Sequence, residues 1–427
     1  NNLQIGWSLN KTITPPLNDN VKFNKSMSFS SNGVYYVSNF IDNLSNVQKI
    51  GVYDVNEVQI GGYISFESNT INKNCLVSNG GDIVTYVTVN NNNESFAVIA
   101  TFDNVNLVWN NVITYNKVSG VNNEQYLSNI QDNVIQSSSF YSVTISQNGI
   151  IVYYLNLDTK SIIGQYNLSS NFLIVKDGWL NTKISDDSSF IAISNNNSFT
   201  YLFYSRLGQW NGYEENYISQ IKYEDSGDGG IPISGDEIGL LKIGDYVLLV
   251  GGLYDEHSIP KGYSVGATYV CNLSSGVISF PHGNNFLELS DDNINFNAKK
   301  FIISKANNID GVKIFINLYD SDGKNYGVNT YELEQNLYGL YSWKIKNTFR
   351  SPEIESNYGL NIASGTNSLF ISDDVNNYIY LYRFLELSLL NGIYIYSNPV
   401  LDKLSNTYKQ KWYRSSDFSN GLNVYGV

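Results

Sequence analysis

The sequence predicts an all-β protein built from repeated four-stranded antiparallel units. Three observations carry that expectation. Apolar residues alternate or come in runs of four to eight, with almost no 3.6-residue periodicity. Clusters of Asn, Asp, Gly and Ser bound each run, as turn residues bound strands. The composition sets 34 Tyr, 20 Phe and 6 Trp against 7 Pro and 1 Met, which favours pleated, half-buried surfaces. With 427 residues and 42% hydrophobic content, the chain is long enough to bury a large core.

The elements follow in order. Ser26–Ser30, Val34–Asn39, Gln48–Val55 and Val58–Ile64 read as four strands joined by hairpins. Asn74–Ser78, Asp82–Val89, Ser95–Asp103 and Asn106–Tyr115 repeat the order, as do Tyr126–Ile130, Phe140–Ser146, Ile150–Asn156 and Ser161–Leu168. A fourth unit comprises Leu180–Ser185, Ser189–Ser194, Ser198–Ser205 and a strand within 209–220. Ile238–Ile243, Tyr246–Gly251, Ser264–Leu273 and Gly276–Phe280 make the fifth. Lys300–Ser304, Val312–Leu318, Gly327–Leu333 and Leu340–Asn347 make the sixth, and Gly359–Ser364, Ser368–Ser372 and Tyr378–Phe384 open a seventh.

The residue closing each first strand falls at Ser30, Ser78, Ser128, Ser185, Gly244, Ser304 and Ser364, giving gaps of 48, 50, 57, 59, 60 and 60. Anchoring the third unit on Ser146 instead gives uneven gaps of 68 and 39, so Ser128 is preferred. Seven four-stranded units at this spacing match the period of a β-propeller. The seventh unit lacks a clear fourth strand, while Leu3–Leu9 stands alone at the N-terminus and repeats the pattern of Val58–Ile64. The N-terminal strand is therefore expected to close the ring and leave no free edge. Gly392–Ser397 is the competing candidate. The expected organisation is a propeller over 1–398, with units at 26–64, 74–115, 126–168, 180–220, 238–280, 300–347 and 359–398, residues 3–9 as the closing strand, and a C-terminal appendage over 399–427.

The stretches SFSSNGVYYVSNF (28–40) and QKIGVYDVNEVQIG (48–61) resemble blades of the seven-bladed β-propeller superfamily of WD-repeat type. A small-residue turn follows strand one, and Val-Tyr-Asp ends strand three. The Trp-Asp and Kelch signatures are absent, so the resemblance implies architecture and no site residues.

Charge narrows the function. Net charge is −13, charged residues are 15%, and the four arginines stand at 206, 350, 383 and 414. Such a chain is poorly equipped to grip nucleic acid phosphates or an anionic membrane. No apolar run approaches the ~20 residues of a membrane helix, since 239–254 is interrupted by Lys242 and Asp245. Two cysteines, Cys75 and Cys271, fall in units two and five and are expected to be unbonded to each other. The chain opens Asn1-Asn2-Leu3 and its one methionine is Met27, which leaves two readings open: a removed leader, or absent leading residues. Asparagine numbers about 61, so the seven Asn-x-Ser/Thr sequons match chance frequency.

Motifs for chemistry are few. Gly262-Tyr263-Ser264-Val265-Gly266 fits G-x-S-x-G but begins a strand instead of turning into a helix. Ser290-Asp291-Asp292-Asn293 opens like the Asp-box of sialidase-type propellers, yet Ile294 and Asn297 hold its Gly and Trp positions. Asp320 and Asp322, in Asp-Ser-Asp-Gly, are the candidate ligands for a calcium ion; no other cofactor is expected. Loops between second and third strands share one face of a propeller, and they concentrate carboxylates. Asp255, Glu256, His257, Asp373 and Asp374 on that face, and Trp412 and Tyr413 in the appendage, are the candidate partner-binding residues. The expectation is a non-catalytic, extracellular or virion-surface module for assembly or recognition. Its partners would be protein subunits, oligomers included, or surface glycan. The alternative is a glycan-acting hydrolase or lyase with paired carboxylates at the channel mouth.

Overall fold

The computed structural model describes residues 6–16, 21–30, 33–67, 70–78, 80–92, 94–119, 139–146, 149–156, 159, 161–167, 179–185, 189–195, 200–205, 215–223, 231–255, 262–272, 286–287, 298, 300–304, 311–319, 325–335, 341–351, 358–365, 367–373, 375–385, 387–390, 393–396, 400–402, 407–409 and 412–414. These residues are nearly all strand and hairpin, with no α-helix among them.

Strand β1 (Gly6–Ile13) precedes a first sheet of β2 (Val21–Phe29), β3 (Tyr35–Asp42), β4 (Gln48–Asp54) and β5 (Ile64–Ser65). A second holds β6 (Ile71–Val77), β7 (Ile83–Val89), β8 (Glu94–Asp103) and β9 (Val108–Ser119). The third has three described strands, β10 (Ser139–Ser146), β11 (Gly149–Asn156) and β12 (Ser161–Asn167). Next, β13 (Trp179–Ile184), β14 (Phe190–Asn195), β15 (Thr200–Ser205) and β16 (Glu215–Tyr223) run on into β17 (Ile231–Ile243), β18 (Tyr246–Asp255), β19 (Gly262–Asn272) and β20 (Phe286–Leu287) as one eight-stranded sheet. A further four-stranded sheet contains β21 (Phe301–Ile303), β22 (Lys313–Tyr319), β23 (Asn325–Gln335) and β24 (Tyr341–Arg350). The last before residue 386 joins β25 (Tyr358–Gly365), β26 (Ser368–Asp373) and β27 (Tyr378–Leu385) to β1, which pairs antiparallel with β27 from Gly6↔Leu385 to Ile13↔Ile379.

The sheets stack face on face. One apolar cluster joins the β17–β20 part to β21–β24 through Leu248, Val250, Phe301, Ile314, Ile316 and Tyr331. Others join β21–β24 to the last sheet, the last sheet to the first, and the first to the second. Second strands lie inside this stack, so both their faces are covered and they read as near-continuous apolar runs. Ile83–Thr88 and Ser368–Asp373 are buried throughout.

The serines that anchor the repeat have a physical role. The N–H groups of Ser30, Ser78, Ser185 and Ser304 donate to the carbonyls of Tyr35, Ile83, Phe190 and Lys313 at 2.9–3.0 Å. Each serine Oγ accepts from the N–H of that same partner at 2.9–3.2 Å. A serine is small enough to be buried there and still satisfies a backbone donor where the ladder ends.

Tryptophan supplies a second repeated device. Trp109 on β9 donates through Nε1 to Ile60 O at 2.9 Å, and Trp343 on β24 to Thr268 Oγ1 on β19 at 3.1 Å. Trp7 on β1 packs edge-on against Phe315 and Phe349 of the preceding sheet, with centroids 5.6 and 6.1 Å away. In all three sheets the outermost strand carries an indole that reaches the preceding unit. The N-terminal strand thus does in the last sheet what β9 and β24 do in theirs.

Several expectations change. Seven separate four-stranded units were expected. Before residue 386 five blade-sized sheets stand apart, four with four strands and one with three, while the eight-stranded sheet takes the place of the fourth and fifth units. In the third unit β10 lies beside β13 as β13 lies beside β17, which is the place of a first strand, and β10 ends at Ser146. Residues 126–130 lie outside the described residues, as does the expected strand 276–280; Gly266 and Ala267 of β19 pair with β20. The boundary at 398 also moves. β28 (Leu387–Leu390) and β29 (Ile393–Tyr396) pair with each other and β29 with β32 (Trp412–Arg414), while β30 (Val400–Asp402) pairs with β31 (Thr407–Lys409). Residues 387–396 therefore belong with the appendage, and Gly392–Ser397 is not the strand beside β27. Cys75 is a buried thiol between the first two sheets.

Candidate functional site

Turns between second and third strands and the starts of first strands lie at one end of the sheets. In the first unit Asp42 ends β3 and its Oδ1 accepts from the N–H groups of Leu44 and Ser45 at 3.0 and 2.9 Å. Lys49 Nζ lies 2.8 Å from Oδ2, and this ammonium, with the turn donors, holds the carboxyl well below its ordinary range. In the last unit Asp373 ends β26, fully buried, and accepts from the N–H of Asn376 at 3.2 Å and from its Nδ2 at 2.9 Å. Asn46 and Asn377 complete the two turns at φ of 57° and 59°, a left-handed conformation that Asn tolerates. Asn377 Oδ1 also accepts from the N–H of Phe23 at 2.8 Å, tying the last unit to β2 of the first.

A polar network sits just inside this rim, where first strands leave regular register at Asn72/Asn74 and Tyr358/Ile362. A bulge frees backbone donors, and side chains take them. Asn317 Oδ1 accepts from the N–H of Lys300 at 2.8 Å, while its Nδ2 donates to Tyr319 Oη and Gly359 O. Lys300 Nζ donates to Asn361 Oδ1 at 2.8 Å, and Ser372 Oγ accepts from the N–H of Asn361 at 2.9 Å. Between the first two units, Gln48 Oε1 accepts from Asn39 Nδ2 and from the N–H of Asn72 at 2.9 and 2.8 Å. Amides, two hydroxyls and one ammonium can orient a polar ligand or hold neighbouring units in register. On the described first strands the carboxylates are the consecutive Asp236 and Glu237 of β17. Among the described residues no three His, Cys, Asp or Glu side chains cluster closely enough to hold a metal ion.

Of the residues singled out from sequence, Asp255 ends β18 opposite Gly262, the place Asp42 and Asp373 occupy in their units. Glu256, His257, Asp374 and the candidate calcium ligands Asp320 and Asp322 lie outside the described residues. Trp412 and Tyr413 stand on β32, opposite Ile395 and Tyr394, in the sheet of β28, β29 and β32. Ser264 of the G-x-S-x-G match is inside β19 and not at a strand–turn–helix elbow. The inner network of Lys300, Asn317, Asn361, Asn39, Gln48 and Asn72 escaped sequence reasoning. Its signal was an Asn set within an apolar second strand, in Val37-Ser38-Asn39-Phe40 and Ile316-Asn317-Leu318.

The arrangement defines the class: sheets packed face on face, with their first strands neighbouring one another, form a β-propeller. No protein-family model matches the sequence, and no curated protein matches it. Among solved structures the chain is similar to a chain of the mitotic checkpoint complex, with a TM-score of 0.52 at 9% identity over 89% of this chain and 93% of that one. It is also similar to Raptor from Chaetomium thermophilum, with a TM-score of 0.54 at 7% identity over 90% of this chain and 29% of that one. The β-propeller domain of the Trilobed protease from Pyrococcus furiosus matches with a TM-score of 0.44 at 9% identity, over 94% and 99% of the two chains. At such identities the likeness is one of fold.

Proposed function

We propose that this chain is a seven-bladed propeller closed by its N-terminal strand, and that it acts as a non-catalytic recognition or assembly module on a cell exterior or a virion. The blade count is supported by the join between β16 and β17, which rests on two residue pairs, Lys222↔Pro232 and Tyr223↔Ile231, as expected of two blades in contact. The order of neighbouring first strands, β6, β2, β25, β21, β17, β13 and β10, supports the same count. The observation that carries the functional reading is the inner rim, where Lys300, Asn317, Asn361 and Ser372 are engaged with one another and with backbone, as side chains that hold neighbouring units in register are. The similar chain of the mitotic checkpoint complex belongs, by that name, to a protein assembly. Low charge and abundant Asn and Tyr support a place outside the cell. The other reading is a glycan-acting hydrolase or lyase with paired carboxylates at the channel mouth, for which Asp236 and Glu237 of β17 are the carboxylates on a described first strand.

Cross-linking mass spectrometry on the native source, paired with incubation of the purified chain with a polysaccharide panel, separates the two. The recognition reading expects cross-links to other proteins from the rim turns, and no new reducing or unsaturated ends. Product release that disappears in Asp236→Asn or Glu237→Gln would overturn it.

A further inference from the structure

We propose that the apolar tips of two turns at the opposite end of the first two sheets form a docking surface for a protein segment that carries leucine-type side chains among lysines or arginines. The proposal rests on the recognition reading and names its surface and partner chemistry. Val58 is 59% exposed, Val105 88%, Leu107 63% and Val108 46%, in turns that follow β4 and β8. The hydrogen bond from Trp109 to Ile60 O holds the two turns together, so the four side chains belong to one area.

The turn geometry supplies a second, independent observation. Asp103–Val108 repeats the turns at Asp42–Val47 and Asp373–Tyr378. Asp103 Oδ1 accepts from the N–H groups of Val105 and Asn106 at 2.8 and 3.1 Å, and the N–H of Leu107 donates to Asp103 O at 2.8 Å. The left-handed place is held by Asn46 and Asn377 in the other two turns and by Leu107 here, at φ 58°. A leucine is strained there and an asparagine is not, and this leucine gains no burial in exchange. Folding alone therefore accounts for neither its identity nor its exposure.

Charge selects the occupant. Each turn starts from a half-buried carboxylate, Asp54 and Asp103, that among the described residues accepts from its own turn's backbone and from Asn56 or Asn106. Apolar tips between two anionic turn bases, on a chain of net charge −13, complement an apolar segment flanked by cations.

The test uses the full chain and two fluorescent probes, an amphipathic helical peptide of Leu and Lys and its Leu and Glu counterpart, read by anisotropy at low and high salt. The Leu–Lys peptide is expected to bind, more weakly at high salt, and the Leu–Glu peptide not to bind. Val105→Ser with Leu107→Asn should weaken binding about tenfold or more. Its unfolding midpoint should be no lower than the parent's, because Asn suits the left-handed place. Equal binding by variant and parent, equal binding of both peptides, or binding of neither overturns the proposal. So does a parent that self-associates through this patch, since the occupant would then be a second copy. Leu44→Ser with Val375→Ser, on the other rim, separates the two levels. If that variant alone loses the peptide, the patch is wrong while recognition stands.

Discussion

Replacing Trp7 with alanine tests the N-terminal strand directly. The indole is 7% exposed and is surrounded by Phe315, Phe349 and Phe384, with centroids 5.6, 6.1 and 5.3 Å away. Emptying such a site costs about 3–5 kcal/mol in transfer and cavity energy. Three edge-on aromatic contacts of about 0.5–1.5 kcal/mol each place the loss toward the upper end. Unlike Trp109 and Trp343, Trp7 buries Nε1 without a hydrogen-bond partner among the described residues, which offsets part of that gain. A net loss of about 4 kcal/mol follows. An unfolding entropy of about 2.1 cal/mol/K per residue over the chain converts this to a fall of about 4–5 °C in Tm. Thermal unfolding followed by circular dichroism reads it, and amide exchange along Tyr378–Leu385 should accelerate as its partner strand detaches. Trp7→Phe keeps a ring in the cluster and removes the orphan donor, so it should cost much less. An unchanged midpoint in Trp7→Ala would refute the stapled-strand reasoning.

Further outcomes follow from the same packing. Gly33 has φ 67°, and a Cβ there would lie 2.5 Å from Ser368 Oγ and 3.1 Å from Gly365 Cα, whereas Gly244 at φ 53° has nothing within 4 Å. Gly33→Ala should thus lower stability by several kcal/mol, roughly 3 or more, and Gly244→Ala by only about 1, in denaturant titrations; equal losses would show that the contact is absent. Ser185→Ala removes the Oγ that accepts from the buried N–H of Phe190 and should cost about 1–3 kcal/mol in the same assay, while Ser185→Thr, which keeps an oxygen, should recover part. Burial pushes the Tyr86 hydroxyl from 10.0 up to about 12. The folded state then holds that proton more tightly, so the contribution is complete below pH 10 and is lost as pH rises through about 12. Urea titrations across this interval should show stability falling with pH, less steeply in Tyr86→Phe by about 1.4 kcal/mol per pH unit; identical slopes would refute the assignment.

The repeat was legible because its marker is structural. A serine that must be small, buried and hydrogen-bonding recurs at Ser30, Ser78, Ser185 and Ser304, and spacing alone finds it. In the third unit even spacing and local pattern point to different serines, and Ser146 ends the described strand β10. Ile145-Ser146-Gln147-Asn148-Gly149 has the turn chemistry of the first unit, but a long stretch between β9 and β10 breaks the period. The last unit's edge was misjudged since apolar runs such as Gly392–Ser397 look alike whether they pair with β27 or with β32. Carboxylates that sequence reading assigned to a partner surface are partly turn caps: Asp373 is buried against Asn376, a contact set by backbone geometry that composition does not reveal. The outer-strand tryptophans and the repeated Asp-x-apolar turns at 42, 103 and 373 were visible in the sequence. Without sheet register, nothing there marks which end of a blade each one occupies.

The architecture depends most on β1 pairing with β27 of its own chain. Ser8 lies opposite Arg383 in that ladder. Ser8→Cys with Arg383→Cys, oxidised and mapped by non-reducing peptide analysis, should give a bond within one chain. Because the bond closes nearly the whole sequence into a loop, it should raise the stability by up to about 5 kcal/mol. Failure of the pair to cross-link, or a bond formed between two chains, would contradict it.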